Sequence, residues 1–210
     1  MIHELSNPVV KTLLNHLRET KTDALRFRHI VQELARILAY EALKNQTLED
    51  QTITTWQGEQ KFGFIKEEDI IFVTILRAGL PMIEAVTALF PNASSGFLAM
   101  KRDENTHQSV LYYDRIPDCK GKTVIVVDPM VATAGSLCDA ISLIQTKSPK
   151  NIISLNIIGS PEGMAILEQK HPNVEIYIAQ IDEQLNENKF IMPGLGDAGD
   201  RSYNTIDPTS

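Results

Sequence analysis

Cysteine is scarce: two in 210 residues, Cys119 and Cys138, with no CxxC spacing. That excludes a disulfide framework and a CxxC metal or redox site, and both are expected to be reduced thiols. The five histidines, His3, His16, His29, His107 and His171, are scattered without ligand spacing. No metal held by the protein's own side chains is therefore expected. Positive charge is not in excess, with 20 Lys and Arg against 27 Asp and Glu, a net charge of −7. This balance argues against broad nucleic-acid binding. It leaves room for a small anionic ligand, which local groups decide. Long apolar runs are missing, far short of the roughly 18 residues of a membrane span. The N-terminal MIHELSNPVVK has no apolar stretch of the signal-peptide kind, so a cytoplasmic location is expected. Internal repeats and low-complexity segments are absent too.

What is present is an alternation. Asn7 before Pro8 reads as the cap and first residue of a short helix, VVKTLLNHLRET. Leu25, Ile30, Val31, Leu34, Ile37, Leu38 and Ala42 recur at helical spacing and predict a long helix over 23–45. TITTW and KFGFI predict a hairpin turning around Gln57–Gln60. Then follow IIFVTIL (70–76), FLAM (97–100), TVIVV (123–127), NIISLNII (151–158) and VEIYIA (174–179). Most of these runs lack polar alternation, as strands buried on both faces do. Helical segments at 80–90, 136–147 and 161–170 separate them, the last opened by Ser160 and Pro161. The pattern is α/β, a parallel sheet flanked by helices. The stretch 101–115 interrupts it and is expected to project as a mobile β-hairpin.

In such a sheet, ligands bind beyond the carboxyl ends of the strands. One strand end reads VIVVDPMVATAGS, residues 124–136. Asp128 follows the apolar run, and the small and hydroxyl residues Ala132, Thr133, Ala134, Gly135 and Ser136 lead into a helix. Amides at that helix start, with the two hydroxyls, form an anion site. Asp128 would repel a phosphate but can accept from sugar hydroxyls, so the segment suggests a ribose phosphate. The other reading is a plain strand–helix turn. A second end, TILRAGLP, carries Arg77, which either binds a diphosphate bidentately or caps the sheet edge. Gly79 there permits unusual backbone geometry. A third, MKRDE, carries Lys101 and Arg102. Two basic ends and one acid with an anion cradle are more specific together than any one alone.

The C-terminal PGLGDAGDR fits G-x-G-x-x-G through Gly194, Gly196 and Gly199. It makes a poor dinucleotide fingerprint, because Asp197 and Asp200 would repel a pyrophosphate on bare amides. With ILRAGL and VDPMVATAGS, however, it resembles the uracil phosphoribosyltransferase family over essentially the whole chain. The resemblance implies one type I phosphoribosyltransferase domain over 1–210. Its parallel core would span about 66–180, under a hood built from about 1–65 and 181–210. It implies that uracil and 5-phosphoribosyl 1-diphosphate give uridine 5′-monophosphate and diphosphate. Magnesium is expected with the diphosphate, a homodimer or larger assembly is usual, and some members respond to GTP.

By that resemblance Ile191, Gly196, Asp197 and Ala198 line the uracil pocket, and Asp197 also touches the phosphoribosyl substrate. Arg77 and Arg102 hold the diphosphate, while Asp128, Pro129, Met130, Val131, Ala132, Thr133, Ala134, Gly135 and Ser136 hold ribose and 5′-phosphate. Arg77, Arg102, Asp128 and Asp197 form the catalytic set, with no dedicated nucleophile. The 101–115 hairpin is expected to close over the site. A purine enzyme and a non-catalytic nucleotide-sensing regulator on the same fold are the rival readings. The chain departs from the family's ATGGS at one place, where Ala134 precedes Gly135. Ala134 is expected to have negative φ, with its amide facing the 5′-phosphate.

Overall fold

The computed structural model describes residues 1–102 and 109–205, with side chains at 101, 102 and 109 outside that description. In chain order it contains β1 (Ile2–Glu4), α1 (Pro8–Arg18), α2 (Ala24–Leu43), β2 (Glu49–Thr55), β3 (Gly58–Phe64), β4 (Ile70–Leu76) and α3 (Leu80–Leu89). There follow β5 (Ser94–Arg102), β6 (Ser109–Arg115), β7 (Thr123–Val127), β8 (Met130–Val131), α4 (Gly135–Gln145) and β9 (Asn151–Gly159). The chain closes with α5 (Pro161–Lys170), β10 (Glu175–Ile181), β11 (Gln184–Leu185), β12 (Ile191–Met192) and α6 (Ala198–Tyr203).

Helix starts follow from local chemistry. Asn7 accepts from the Val9 amide, Asp23 from Arg26 and Ser160 from Gly163, each satisfying an N–H that the helix leaves open. Pro8 and Pro161 stand where a missing N–H costs nothing.

The main sheet runs β1-β10-β9-β7-β4-β5-β6, with β8 paired beside β9. Every pairing in it is parallel except β5 with β6. Successive side chains point to opposite faces. Ile70 and Phe72 thus join α1, α2 and α3 in one apolar cluster, and Ile71, Val73 and Ile75 join α4 and α5 in the other. Both faces are covered, which is why these strands read as unbroken apolar runs.

Some boundaries moved. The first hairpin is longer than TITTW and KFGFI suggested and turns at Trp56–Gln57. It forms a separate two-stranded sheet, nearly all exposed, with Trp56 at its tip 92% exposed. β5 runs on to Arg102, so Lys101 and Arg102 lie inside a strand and not just after one. The reason is β6: its antiparallel pairing, Lys101 with Val110 and Arg102 with Ser109, prolongs β5 past a register shift at Ala99–Met100. Within 101–115, residues 101–102 and 109–115 belong to the antiparallel β5–β6 pair. Residues 103–108, on which the expectation of a mobile, closing hairpin also falls, lie outside the described residues. The short elements β1, β8, β11, β12 and α6 span too few residues to show periodicity.

Candidate active site

β4 and β7 are parallel neighbours, with Thr74 level with Val127. Their carboxyl ends therefore bring Arg77 and Asp128 to the same edge of the sheet, at the ends of neighbouring strands about 4.8 Å apart. The two ends are also stitched together. The buried Thr74 hydroxyl donates to the Val127 carbonyl at 3.0 Å. The loop after β4 crosses directly over this bond. A side chain at Gly79 would collide with the Thr74 hydroxyl and the Val127 carbonyl. Gly79 itself has ordinary helical angles, φ −81° and ψ −4°, so its role is close approach and not unusual backbone geometry. The Leu76–Arg77 peptide bond is cis. Arg77 is 54% exposed and pairs with Asp200 at 2.9 Å. It also donates to the Thr205 hydroxyl at 3.3 Å, and that hydroxyl donates to Asp200 at 2.6 Å.

Asp128 sits partly exposed beyond β7. Loss of water around the carboxyl pushes its pKa up to about 7, against a smaller opposing effect of the Met130 amide. The loop behind it is held by β9. Asn156, fully buried, donates to the Asp128 carbonyl at 2.7 Å and accepts from the Ser154 hydroxyl at 2.8 Å. The Pro129 carbonyl accepts from the amides of Ile157 and Ile158, the Val131 carbonyl from Ser160 N–H, and the Ala132 carbonyl from the Ser160 hydroxyl. Pro129 and Val131 are buried, so what they can offer a ligand is backbone. Met130, Ala132, Thr133, Gly135 and Ser136 are partly exposed around the start of α4.

Ala134 corrects an expectation. It caps α4 with φ 59° and ψ 2°, left-handed and not negative. The chain must reverse between β8 and α4, and a left-handed residue makes that turn. A glycine would adopt it freely, whereas alanine carries a penalty of about 1–2 kcal/mol. Its methyl is 4% exposed and packs into the cluster containing Leu137, Cys138 and Ile141.

The C-terminal loop folds back onto β4. Ile191 pairs with Leu185 and is buried, as is Ala198, and both join the α1–α2 cluster. Gly196 is exposed at φ 80°. Asp197 is exposed and caps α6 by accepting from the Asp200 amide at 2.8 Å. The Arg77–Asp200 pair then joins this loop to the end of β4. The structure thus brings together Arg77, the Asp128–Ser136 loop and residues 191–200 at one end of the sheet. The Arg102 side chain lies outside the described residues.

Several residues around this end escaped the sequence reading. Asn156 carried a signal, an amide in the interior of the apolar run IISLNII. Asp182 carried one too, since it follows the run of β10 as Asp128 follows that of β7. Arg18 carried none, and PGLGDAGDR, which contains Asp200 and Arg201, gave no sign of what those two side chains would bond. A cavity of about 600 Å³ opens elsewhere, between β1 and α2, lined by His3, Asn7, Tyr40 and Glu41. None of the strand-end residues lines it, so the site is located by its chemistry and not by cavity size. Among the described residues no three His, Cys, Asp or Glu side chains converge to hold a metal. None of the described helices is long and apolar enough to cross a membrane.

The uracil phosphoribosyltransferase family model matches residues 4–205. A uracil phosphoribosyltransferase of Aquifex aeolicus is 45% identical over 203 residues, covering 97% of this chain and 98% of the relative. One from Clostridium botulinum is 41% identical over 203 residues, covering 96% and 97%. A solved structure of an Aquifex aeolicus protein superposes with a TM-score of 0.93 at 45% identity, over 97% of this chain and 98% of the other. The strand ends with Arg77 and Asp128, the cradle before α4 and the glycine loop packed against them thus occur in a chain that belongs to the uracil phosphoribosyltransferase family.

Proposed function

We infer that this protein transfers the phosphoribosyl group of 5-phosphoribosyl 1-diphosphate to uracil, releasing diphosphate and uridine 5′-monophosphate. The observation that carries the reading is the meeting of Arg77, the Asp128–Ser136 loop and residues 191–200 at one sheet end. Each part suits one part of the substrates. The amides opening α4 take the 5′-phosphate. Asp128 accepts the ribose hydroxyls. Arg77 and Arg102 take the diphosphate. Ile191, Gly196, Asp197 and Ala198 take uracil, whose imide edge offers acceptor, donor, acceptor to backbone N–H and C=O groups. Residues 181–205 act as a hood over the strand ends, whereas β1 is an edge strand of the main sheet and α1 and α2 cover one of its faces, so that part of the expected N-terminal hood belongs with the core.

In the reaction the anomeric C–O bond breaks and its electron pair leaves with the diphosphate. A uracil ring nitrogen forms the new bond to the same carbon and loses its proton. Positive charge develops on the ribose as the bond breaks, and negative charge grows on the leaving oxygen. Arg77 stabilises that oxygen, an electrostatic contribution that is often the largest in such steps. The hood holds uracil on the opposite side, so much of the barrier is met by positioning. The donor set suits a magnesium ion carried by the substrate, which needs only one or two carboxylates from the protein. The ion would arrive with the diphosphate and supply charge neutralisation there, with Arg77 sharing that task.

The β2–β3 hairpin supports a homo-oligomer. It exposes Ile53, Trp56, Phe62 and Phe64 on an arm with little of the chain beneath it. A second copy is the partner we assign to it.

Radiolabelled uracil, incubated with and without 5-phosphoribosyl 1-diphosphate and magnesium, tests the reaction. Labelled uridine monophosphate should form only when both are present, and hypoxanthine should not substitute. Equal turnover of a purine base would overturn the assignment. GTP added to the same assay tests for an effector.

A further inference from the structure

Asp182 follows β10, and its carboxylate is completely buried. Taking a carboxylate out of water is costly unless its oxygens are fully bonded. Here they are. Arg18, the last residue of α1, grips it with two bonds, Nη2 to Oδ1 at 2.5 Å and Nη1 to Oδ2 at 2.8 Å. The Gly194 amide donates to Oδ2 at 2.9 Å and Gln180 to Oδ1 at 3.3 Å. The Asp182 amide is tied to the Gly159 carbonyl, the last residue of β9. The network therefore spans the sheet, α1 and the C-terminal loop.

Its geometry converges on one residue. Arg18 Nη1 also donates to the Gly194 carbonyl at 2.6 Å. One ion pair thus holds both the N–H and the C=O of Gly194. That residue has φ 64°, and a side chain on it would collide with the Ile191 carbonyl. The next carbonyl, Leu195, accepts from Arg201 at 2.8 Å. Arg201 is anchored in turn on the carbonyls of Leu17, Glu19 and Thr22, and its guanidinium lies 4.5 Å over Phe27. The N–H and C=O of Gly194 and the C=O of Leu195 are thus engaged just ahead of Gly196, where the proposed base-binding backbone begins.

A buried ion pair is weak support for stability, since apolar residues of the same volume often do as well. Leu14 and Leu17 on the same helix as Arg18, and Leu195 next to Gly194, already belong to one apolar cluster. What apolar packing cannot supply is direction, because it does not set the rotation of a peptide plane. The Arg18 fork does, through two parallel bonds to a planar carboxylate.

We propose that Arg18 and Asp182 are positioning residues for the base: they orient the two peptide planes flanking Gly194 so that Gly196–Ala198 present their backbone to uracil. This rests on the reading of residues 191–198 as the uracil subsite. Neither residue touches the diphosphate arginine, so damage should fall on one substrate.

Steady-state kinetics of Asp182→Asn and Arg18→Lys, with both substrates varied, test it. Asn removes the charge and keeps one neutral acceptor, with a donor in place of the other; Lys keeps the charge but loses the fork. In each the KM for uracil should rise at least about tenfold, equivalent to about 1.4 kcal/mol. The KM for 5-phosphoribosyl 1-diphosphate should stay within about threefold, under about 0.7 kcal/mol on the same scale. An unchanged uracil KM in either folded variant, or equal rises in both constants, overturns the proposal. Arg18→Lys keeps the buried carboxylate paired and decides the matter if Asp182→Asn does not fold. Hydrogen exchange of the wild-type protein separates the two readings. If uridine monophosphate does not protect peptide 191–198, the subsite reading fails; if it does and the variants keep their uracil KM, only the positioning role fails.

Discussion

Ala134→Gly offers a measurable test of the left-handed cap. Three contributions oppose one another. Relief of the positive φ of 59° favours the glycine variant by about 1–2 kcal/mol. Glycine gains freedom in the unfolded chain, which costs about 0.4–1 kcal/mol. The alanine methyl, 4% exposed, contributes about 0.8 kcal/mol of burial that glycine loses. The losses together are about 1.2–1.8 kcal/mol, so the net change should lie within about 1 kcal/mol of zero. That near-cancellation explains how alanine is tolerated here. Ala134→Val should behave differently. A β-branched residue is a genuine outlier at positive φ, and the buried site has no room for it, so a loss of 2 kcal/mol or more is expected, on the order of a core overpacking. Urea unfolding at fixed protomer concentration, with unchanged slope, reads both values. Because the amides of Gly135 and Ser136 remain, the KM for 5-phosphoribosyl 1-diphosphate in Ala134→Gly should shift less than about tenfold. A valine variant as stable as the wild type would refute the left-handed geometry. A glycine variant more stable by over about 2 kcal/mol would refute the compensation.

Arg77→Ala should lower kcat/KM for 5-phosphoribosyl 1-diphosphate by an amount on the order of 2–4 kcal/mol while barely changing uracil binding; unaltered kinetics would make Arg77 structural. Asp200→Asn removes the carboxylate that holds Arg77 at 2.9 Å, and should alter the KM for 5-phosphoribosyl 1-diphosphate more than stability, since half-exposed pairs contribute at most about 1 kcal/mol. Thermal shift with added diphosphate checks which changes. Asp128 has a pKa raised from 3.8 to about 7, so its contribution to stability is full below pH 4 and is lost as pH rises through 7. Asp128→Asn should therefore be less active yet more stable than the wild type at pH 8, and no more stable at pH 4. The gain has an upper bound of about 4 kcal/mol for a shift of about three units, and partial exposure of the carboxyl reduces it. Equal stability differences at both pH values would contradict the burial of that carboxyl.

Much of the architecture was legible because it is written in local periodicity. IIFVTIL became β4 residue for residue, and the helix starts at Asn7 and Ser160 follow from side chains bonding amides two or three residues away. The strand-end rule located Arg77 and Asp128, since a parallel sheet must turn its carboxyl ends to one side. Three other features depend on parts of the chain far apart in sequence. The end of β5 was misread because β6 prolongs it, and pairing energy from another strand leaves no mark in FLAM itself. The sign of φ at Ala134 depends on how sharply β8 must turn into α4, which β9 dictates by pairing with β8. The bonds from Arg18 to Asp182, 164 residues away, and to Gly194, 176 residues away, arise only when α1, β10 and the C-terminal loop meet. Local patterns report the conformation that each segment prefers. Which polar groups lose water together, and so must bond to one another, is set when the segments pack.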